Sequence, residues 1–568
     1  MNAPVPASQF APKPGDELVF LPLGGSGEIG MNLNAYGYGP AHEREWIIVD
    51  IGVTFGGDDT PGVEIITPDP GFLADGVETV RAIILTHAHE DHIGAIGWLW
   101  PRIKAPVYAT PFTAALVRDK LRERGLIDKV TLHEIPLQHR FRLGPFDLEF
   151  VTITHSIPEP NGLAVHTPLG TVLHTGDWKI DPDPLIGAVT DDARIRELGE
   201  AGVLAMVCDS TNVFTPGEAG SEADVRRELT RVIAEQKGKV AVACFASNVA
   251  RLESVIRAGE AAGRHVCLVG RSMFRITAAA RSVGLLAGCA DFIEAEHAAH
   301  LPPESVLYLC TGSQGEPRAA LSRIAAGAHP HVSLGAGDSL IFSSRQIPGN
   351  ERAIHDMQAA FIERGVSVIT DRDAPGIHVS GHPCRDELTA MYGWARPRIA
   401  IPVHGERRHI LEHARFAKEL QVPFAFTPRN GDLMRLAPGE PEVIDEVPAG
   451  RLHVDGERLV PADGEALRDR KRMAANGHVT VTLAIDAKGK LRAGPDVRTA
   501  GLAESSARDG EKALDLLCEA AEQALSRMKP QAREDEDLIE DTLQRAVRKA
   551  AERIWDRRPL VDVVVLSV

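Results

Sequence analysis

Several common classes are excluded by what the 568-residue sequence lacks. Its seven cysteines (Cys208, Cys244, Cys267, Cys289, Cys310, Cys384 and Cys518) are scattered, odd in number and never spaced CxxC. That excludes a disulfide scaffold and a cysteine zinc ribbon, and predicts a reduced, cytoplasmic protein. No window reaches the ~18 consecutive apolar residues of a membrane helix, so no membrane association is expected. Positive charge is in deficit. Sixty-two Lys and Arg against 79 Asp and Glu leave a net charge of −17, which argues against coating nucleic acid by bulk electrostatics but leaves room for a local basic groove.

What is present is an ordinary 44% of hydrophobic residues in a chain too long for one core, so roughly two to four domains are expected. Residues 1–15, without a basic start or an apolar core, read as a flexible tail. From Leu18, short β-type runs alternate with turns (LVFLPLG, EWIIVDIG, VRAIILTH, LEFVTITH, GTVLHTGD), with helices expected near 93–100 and 111–125. From about Val203 helices alternate with apolar strands (VLAMVCD, KVAVACFAS, HVCLVG, VLYLCTG, SLIFSS), the βαβ rhythm of a second unit with a parallel sheet. Short strands return after Asp371 and end in RIAIPVHGE, followed by a helix over 408–420. The stretch APGEPEVIDEVPAG marks a linker, and beyond it a hairpin, helices near 508–527 and 535–556 and the strand LVDVVVLSV form a terminal module.

Gly25–Gly30, GSGEIG, matches the dinucleotide pattern GxGxxG after a strand, and Asp50 stands 20 residues beyond Gly30. A nucleotide site also requires a helix whose N-terminus faces the pyrophosphate. The residues after Gly30, MNLNAYGYGP, are too rich in Asn, Gly and Pro to form one, so the glycines are read as a tight turn.

The segment HAHEDH, after the apolar run RAIIL, concentrates His87, His89, Asp91 and His92 in six positions. His87 and His89, two apart on extended backbone, project to one side. So many polar groups after a buried strand are hard to satisfy without a cation, and imidazoles with a carboxylate suit zinc or manganese. Two cations need more ligands. Candidates stand at other strand ends: Asp50, His155, Asp177 and His404.

HxHxDH, a strand-end His, a TGD Asp and a late His together resemble the metallo-β-lactamase superfamily. CDSTN (Cys208–Asn212), HVSGH (His378–His382) and PVHGE (Pro402–Glu406) resemble its β-CASP nucleases, and with GGSGEIGMN, THAHEDHIGA and HTGDWKIDPDP they resemble the ribonuclease J family. The fold class implied is α/β: a metallo-β-lactamase αββα sandwich over 16–205 and 373–435, an inserted β-CASP α/β domain over 206–372, a linker over 436–465 and a small C-terminal α/β domain over 466–568. The separation of 227 positions from Asp177 to His404 leaves room for the insertion as a roof over the metal site.

The resemblance also implies roles. His87, His89 and His155 would hold one metal and Asp91, His92 and His404 the other, with Asp177 bridging and Asp50 supporting from behind. The cofactors implied are two divalent ions, zinc first, with manganese or magnesium as alternatives. His382, Asp209 and Asp91 would be catalytic: His382 assists the leaving group, and Asp209 orients it or the attacking water. His378, Ser380, Gly381, His382 and Ser247 would hold a substrate phosphate. The activity implied is 5′-to-3′ exonuclease and endonuclease cleavage of single-stranded RNA by metal-generated hydroxide, in mRNA decay and rRNA processing. Partners implied are RNA with a 5′-monophosphate and further copies of the chain, as a dimer or tetramer built through the terminal module and its amphipathic helix DEDLIEDTLQRAVRKAAERI. A thioester or lactone hydrolase would keep the metals but leaves the insertion and HVSGH unexplained; a β-CASP nuclease acting on DNA is the other alternative.

An acidic protein still needs somewhere to hold RNA. Arg251, Arg257, Arg264, Arg271, Arg275 and Arg281 outnumber Glu253 and Glu260 over the same span of the insertion, and read either as a solvated helix face or as the lining of an RNA channel.

Overall fold

The computed structural model describes residues 11–57, 59–77, 79–347, 349–503 and 512–568; of the expected tail, residues 1–10 lie outside these, and 11–15 are exposed ahead of a first strand at Asp16. Contact density divides the chain into two units: one over residues up to Thr54 and Thr67–Gly450, the other over Phe55–Ile66 and Arg451–Val568.

The first unit is built on two sheets. One has eight strands, in the order Glu442–Glu446, Asp432–Ala437, Asp16–Gly24, Leu33–Pro40, Glu45–Val49, Thr79–Ile84, Val107–Ala109 and Leu132–Glu134. The other has seven: Arg140–Leu143, Phe146–Thr152, Asn161–Thr167, Gly170–His174, Val203–Asp209, Ile399–Val403 and Phe424–Ala425. Phe20, Tyr36, Ile47 and Ile84 of the first meet Phe150, Val165, Val207 and Ile401 of the second in a buried apolar core.

The period of two then decides what lies outside. Ala205 and Val207 point into this core, while Met206 and Cys208 point the other way, onto Leu198, Leu388, Met391 and Phe416 of the helices Asp192–Ala201, Arg385–Ala395 and Arg407–Glu419. The helices Ile96–Ile103 and Pro111–Glu123 cover the far side of the first sheet, completing an αββα sandwich.

Within the same unit, five parallel strands form the inserted sheet, in the order His265–Val269, Val306–Cys310, Val240–Ala243, Ser339–Phe342 and Ser367–Ile369. VLAMVCD, expected as the first strand of this insertion, pairs instead with Gly170–His174 and Ile399–Val403 in the sandwich. A buried parallel strand reads as a continuous apolar run in either sheet, so its partners are invisible locally. The chain leaves Val240–Ala243 toward the Val306–Cys310 side and leaves its neighbour Ser339–Phe342 toward Ser367–Ile369. A topological switch point therefore lies at the carboxyl ends of these two strands, and it is in the crevice of such a point that α/β sheets bind ligands.

The arginine cluster divides differently from either reading. Arg251 is buried; its Nε and Nη2 fork onto Glu222 at 3.0 and 2.8 Å, and its Nη1 donates to the Ser343 carbonyl at 2.9 Å. Arg264 is spent on backbone carbonyls, Arg257 on Glu260 and the Gly288 carbonyl, and Arg281 on Asp291. Arg275 reaches Glu90 and Glu123 of the lactamase part. Only Arg271, among the described residues of this cluster, has no such partner. Replacing Arg251 by alanine would strand Glu222 as a buried charge, and a loss of about 3–5 kcal/mol is expected in denaturant unfolding of the full chain.

The second unit holds the hairpin His478–Ile485 and Leu491–Ala500, with Leu560–Ser567 parallel to the first of these as an edge strand. The helices Ala513–Arg527 and Glu536–Trp555 pack on this sheet; residues 508–511 of the first expected helix lie outside the described residues. Ile539, Leu543, Val547 and Ala551 are fully buried in that core, so the apolar stripe expected to drive self-association faces inward. The stretch 436–465, expected as a linker, carries the strands Glu442–Glu446, Arg451–Asp455 and Arg458–Pro461. Charged residues dominate it because the first of these is an exposed edge, where burial cannot mark a strand.

Candidate active site

GSGEIG forms no helix. Gly25, Gly27 and Gly30 have φ of 85, 97 and 109°, and Ser26–Gly27 pairs with Gly405–Glu406, so the turn anchors the segment that follows His404. His404 donates its backbone N–H to the Gly25 carbonyl at 2.7 Å and Asp50 donates to that of Ile84 at 2.9 Å. These bonds help hold both in the left-handed region, at φ of 51 and 65°, a conformation uncommon for non-glycine residues that persists only where the surrounding structure fixes it.

At the carboxyl ends of the sandwich strands, seven side chains converge. His87 Nε2 lies 3.1 Å and His155 Nε2 3.0 Å from His89 Nδ1, and Asp177 Oδ2 is 3.9 Å from both His87 and His155. In a second group the same oxygen stands 3.2 Å from His92 Nε2 and 3.4 Å from His404 Nε2, while Asp91 Oδ2 is 3.6 and 3.7 Å from those nitrogens. The corners of a tetrahedron centred ~2.1 Å from each lie about 3.4 Å apart, so both groups have the dimensions of a zinc-type site. Asp177 Oδ2 belongs to both, and Asp177 Oδ1 is buried with no hydrogen-bond partner among the described residues.

Each imidazole is turned to present a lone pair. His87 Nδ1 lies 3.0 Å from Thr86 Oγ1, which donates to Asp50, so the His87 proton sits on Nδ1. His155 Nδ1 donates to the Gly381 carbonyl at 2.5 Å, and His89 Nε2 lies 3.1 Å from Ser247 Oγ. His92 Nδ1 donates to Asp50 Oδ2 at 2.7 Å; His404 Nδ1 donates to Asn32 Oδ1 at 3.0 Å, and the Asn32 amide donates to the Asp91 carbonyl. Burial lowers His87, His155 and His89, the last to about 4, so these are neutral imidazoles at pH 7, the form able to bind a cation. At His92 burial acts in the same direction, but Asp177, Asp91 and Asp50 outweigh it and raise the group: a positive charge is favoured there. At Asp177 burial disfavours the carboxylate, and His404, His92 and His382 more than compensate. The donor set fits two divalent cations.

Asp50 accepts from Thr86 N, Thr86 Oγ1 and His92 Nδ1 and belongs to neither candidate ligand group, which is the geometry of a support behind them. Replacing it with alanine is expected to weaken metal binding by about 10- to 100-fold in a chelator competition, with all seven ligands intact.

Beside this centre His382 Nδ1 donates to Asp209 Oδ2 at 2.8 Å, and Asp209 Oδ1 is filled by Thr211 N and Oγ1. Burial opposes a charge on His382, but Asp209 and then Asp177 and Asp91 push it up to about 9. His378 Nδ1 lies 3.2 Å from Arg251 Nη1, always a donor, so Nδ1 accepts and the neutral ring carries its proton on Nε2. Burial, then Arg251, Arg345 and Lys179, hold His378 well below the usual histidine range. Asn212 donates to Ser380 Oγ at 2.8 Å and to the His382 carbonyl at 2.9 Å, tying CDSTN to HVSGH. A Cβ on Gly381 would stand 2.5 Å from Ser156 Oγ and 2.9 Å from His155 Cε1, so only glycine lets this loop lie against a ligand. Asn32, Thr86, Thr211 and Asn212 were missed by sequence reasoning, although each lies within or beside a quoted motif.

Family models match in chain order. Residues 34–205 match the metallo-beta-lactamase superfamily, and 237–360 match the ribonuclease J beta-CASP domain. Residues 376–424 match a Zn-dependent metallo-hydrolase RNA specificity domain, and 465–568 the ribonuclease J C-terminal domain. The chain is 45% identical to ribonuclease J of Sinorhizobium meliloti over 553 residues, covering 97% of this chain and 98% of that one. The chain belongs to the ribonuclease J family.

Ribonuclease J of Thermus thermophilus is 35% identical over 575 residues, covering 99% of this chain and 97% of that one. A crystal structure of a protein of unknown function from Enterococcus faecalis shares the fold at 16% identity with a TM-score of 0.50, over 74% of this chain and all of that one. Membership in the ribonuclease J family, with its RNA-specificity region and metallo-hydrolase centre, makes this a metal-dependent RNA nuclease and sets aside the thioester and lactone reading.

Proposed function

We propose that the chain cleaves single-stranded RNA both from the 5′ end and internally, leaving 5′-phosphate and 3′-hydroxyl ends, in cytoplasmic mRNA decay and rRNA processing. The observation that carries this reading is the convergence at one edge of the sandwich of two ligand groups sharing Asp177, the His382–Asp209 pair, and the His378–Ser380 loop. Zinc is the proposed metal, since five imidazoles and two carboxylates suit it, with manganese and magnesium as alternatives. When bound, two divalent cations lower the pKa of water and neutralise charge on the phosphodiester. His382, protonated at neutral pH, gives a proton to the leaving 3′-oxygen, and Asp209 keeps its ring turned to do so. Asp91, whose side chain is 28% exposed, accepts the proton of the attacking water in this reading.

The 5′-monophosphate is held by His378 Nε2–H, the Ser380 hydroxyl, the Gly381 backbone N–H and Ser247, at the crevice where the inserted sheet changes direction. Self-association through the terminal module is proposed on its edge strand, where Val564 and Leu566 are 42% and 50% exposed. A module-deleted protein that sediments like the full chain would refute that part.

The test of the function is digestion of one end-labelled RNA bearing either a 5′-monophosphate or a 5′-triphosphate, beside single-stranded DNA of the same sequence. Progressive release of nucleoside monophosphates from the first, internal cuts alone in the second and intact DNA are expected. Equal rates at both 5′ ends would remove the monophosphate reading, and intact RNA throughout would remove the function.

A further inference from the structure

Three basic side chains act on His378 of the proposed phosphate-holding loop, and among the described residues all but one of them are paired with a carboxylate. His378 is held uncharged by burial and by its cationic neighbours. Arg251 is locked in a two-pronged ion pair with Glu222, and Lys179, fully buried, pairs with Asp181 at 2.8 Å. The remaining cation is Arg345. It lies just beyond the strand Ser339–Phe342, on the loop that borders the crevice opposite Ser247, and its side chain is exposed. Its Nη1 donates to Asn212 Oδ1 at 3.0 Å, and no carboxylate pairs with it among the described residues.

Asn212 fixes where that guanidinium stands. The buried amide spends its Nδ2 on Ser380 Oγ and the His382 carbonyl, so its oxygen must face Arg345. The guanidinium is thus one side chain, Asn212, away from the Ser380 hydroxyl. With Nη1 anchored, Nε and Nη2 remain as the parallel pair of donors that matches two phosphate oxygens.

We infer that Arg345 reads the charge of the RNA's 5′-terminal phosphate, so that the preference for a phosphorylated end depends on this one side chain. The inference rests on the proposed 5′-monophosphate site and names the residue that discriminates there. Steady-state kinetics of the metal-loaded full chain test it, with one RNA sequence carrying a 5′-monophosphate or a 5′-hydroxyl. Wild-type protein prefers the phosphorylated RNA. Arg345→Ala is expected to raise KM for that RNA by about ten- to a hundredfold, the worth of a charge-assisted contact, and to bring the ratio between the two RNAs close to one. Arg345→Lys, which keeps the charge without the fork, is expected to retain part of the preference. An alanine variant that discriminates as wild type does, or that weakens both RNAs equally, overturns the inference and leaves the site standing. A wild-type protein indifferent to the two ends refutes the 5′-phosphate site itself, and the role of Arg345 with it.

Discussion

Asp177→Asn is expected to lose RNA hydrolysis by on the order of 10³-fold or more and to retain less metal after gel filtration, while its circular dichroism stays that of the wild type. The substitution is nearly isosteric, so the fold has little reason to change; the charge is what disappears. Asp177 Oδ2 is common to both ligand groups, and its carboxylate is stabilised, against burial, by His404, His92 and His382. An amide can offer one neutral oxygen to one cation but cannot neutralise a pair. The loss should therefore exceed that for Asp50→Ala, which leaves every ligand in place. Single-turnover cleavage of end-labelled RNA with metal analysis of the same samples checks it.

The second large effect falls on the His382–Asp209 pair. His382→Gln and Asp209→Asn are each expected to lower kcat by about 10²- to 10⁴-fold with a much smaller change in KM. The double variant should fall little below the worse single one, because the two groups act as a unit. The reason is geometric. Asp209 accepts a hydrogen bond from the Nδ1–H of His382, so any proton delivered to substrate leaves from Nε2, and the same carboxylate raises the ring's affinity for its second proton. Costs that simply add in the double variant would mean that Asp209 acts apart from His382.

Side chains that declare themselves by type were legible in the sequence. HAHEDH could be read from its crowding of imidazoles after a buried strand, and Asp177, His155 and His404 from their places at strand ends. What could not be read was pairing across distance. Arg251 looked like a surface cation because the acids counted beside it were Glu253 and Glu260; its true partner is Glu222, on the preceding helix, and burial made the difference. VLAMVCD could not be assigned to a sheet, since Val203–Asp209 is buried on both faces whichever neighbours it has. Asn32 and Asn212, small amides in turn-like contexts, gave no sign that they orient His404 and the HVSGH loop. The inward stripe of Glu536–Trp555 was equally ambiguous, as amphipathicity marks a buried face without saying what buries it.

The central claim is that two cations, held by the two groups that share Asp177, make this chain a ribonuclease. The most direct measurement is RNA cleavage by protein stripped with chelator and then titrated with a divalent cation. Cleavage should be absent after stripping and return as two equivalents bind per chain, with Asp177→Asn failing to recover. Undiminished cleavage by the metal-free protein, or full recovery in Asp177→Asn, would contradict it.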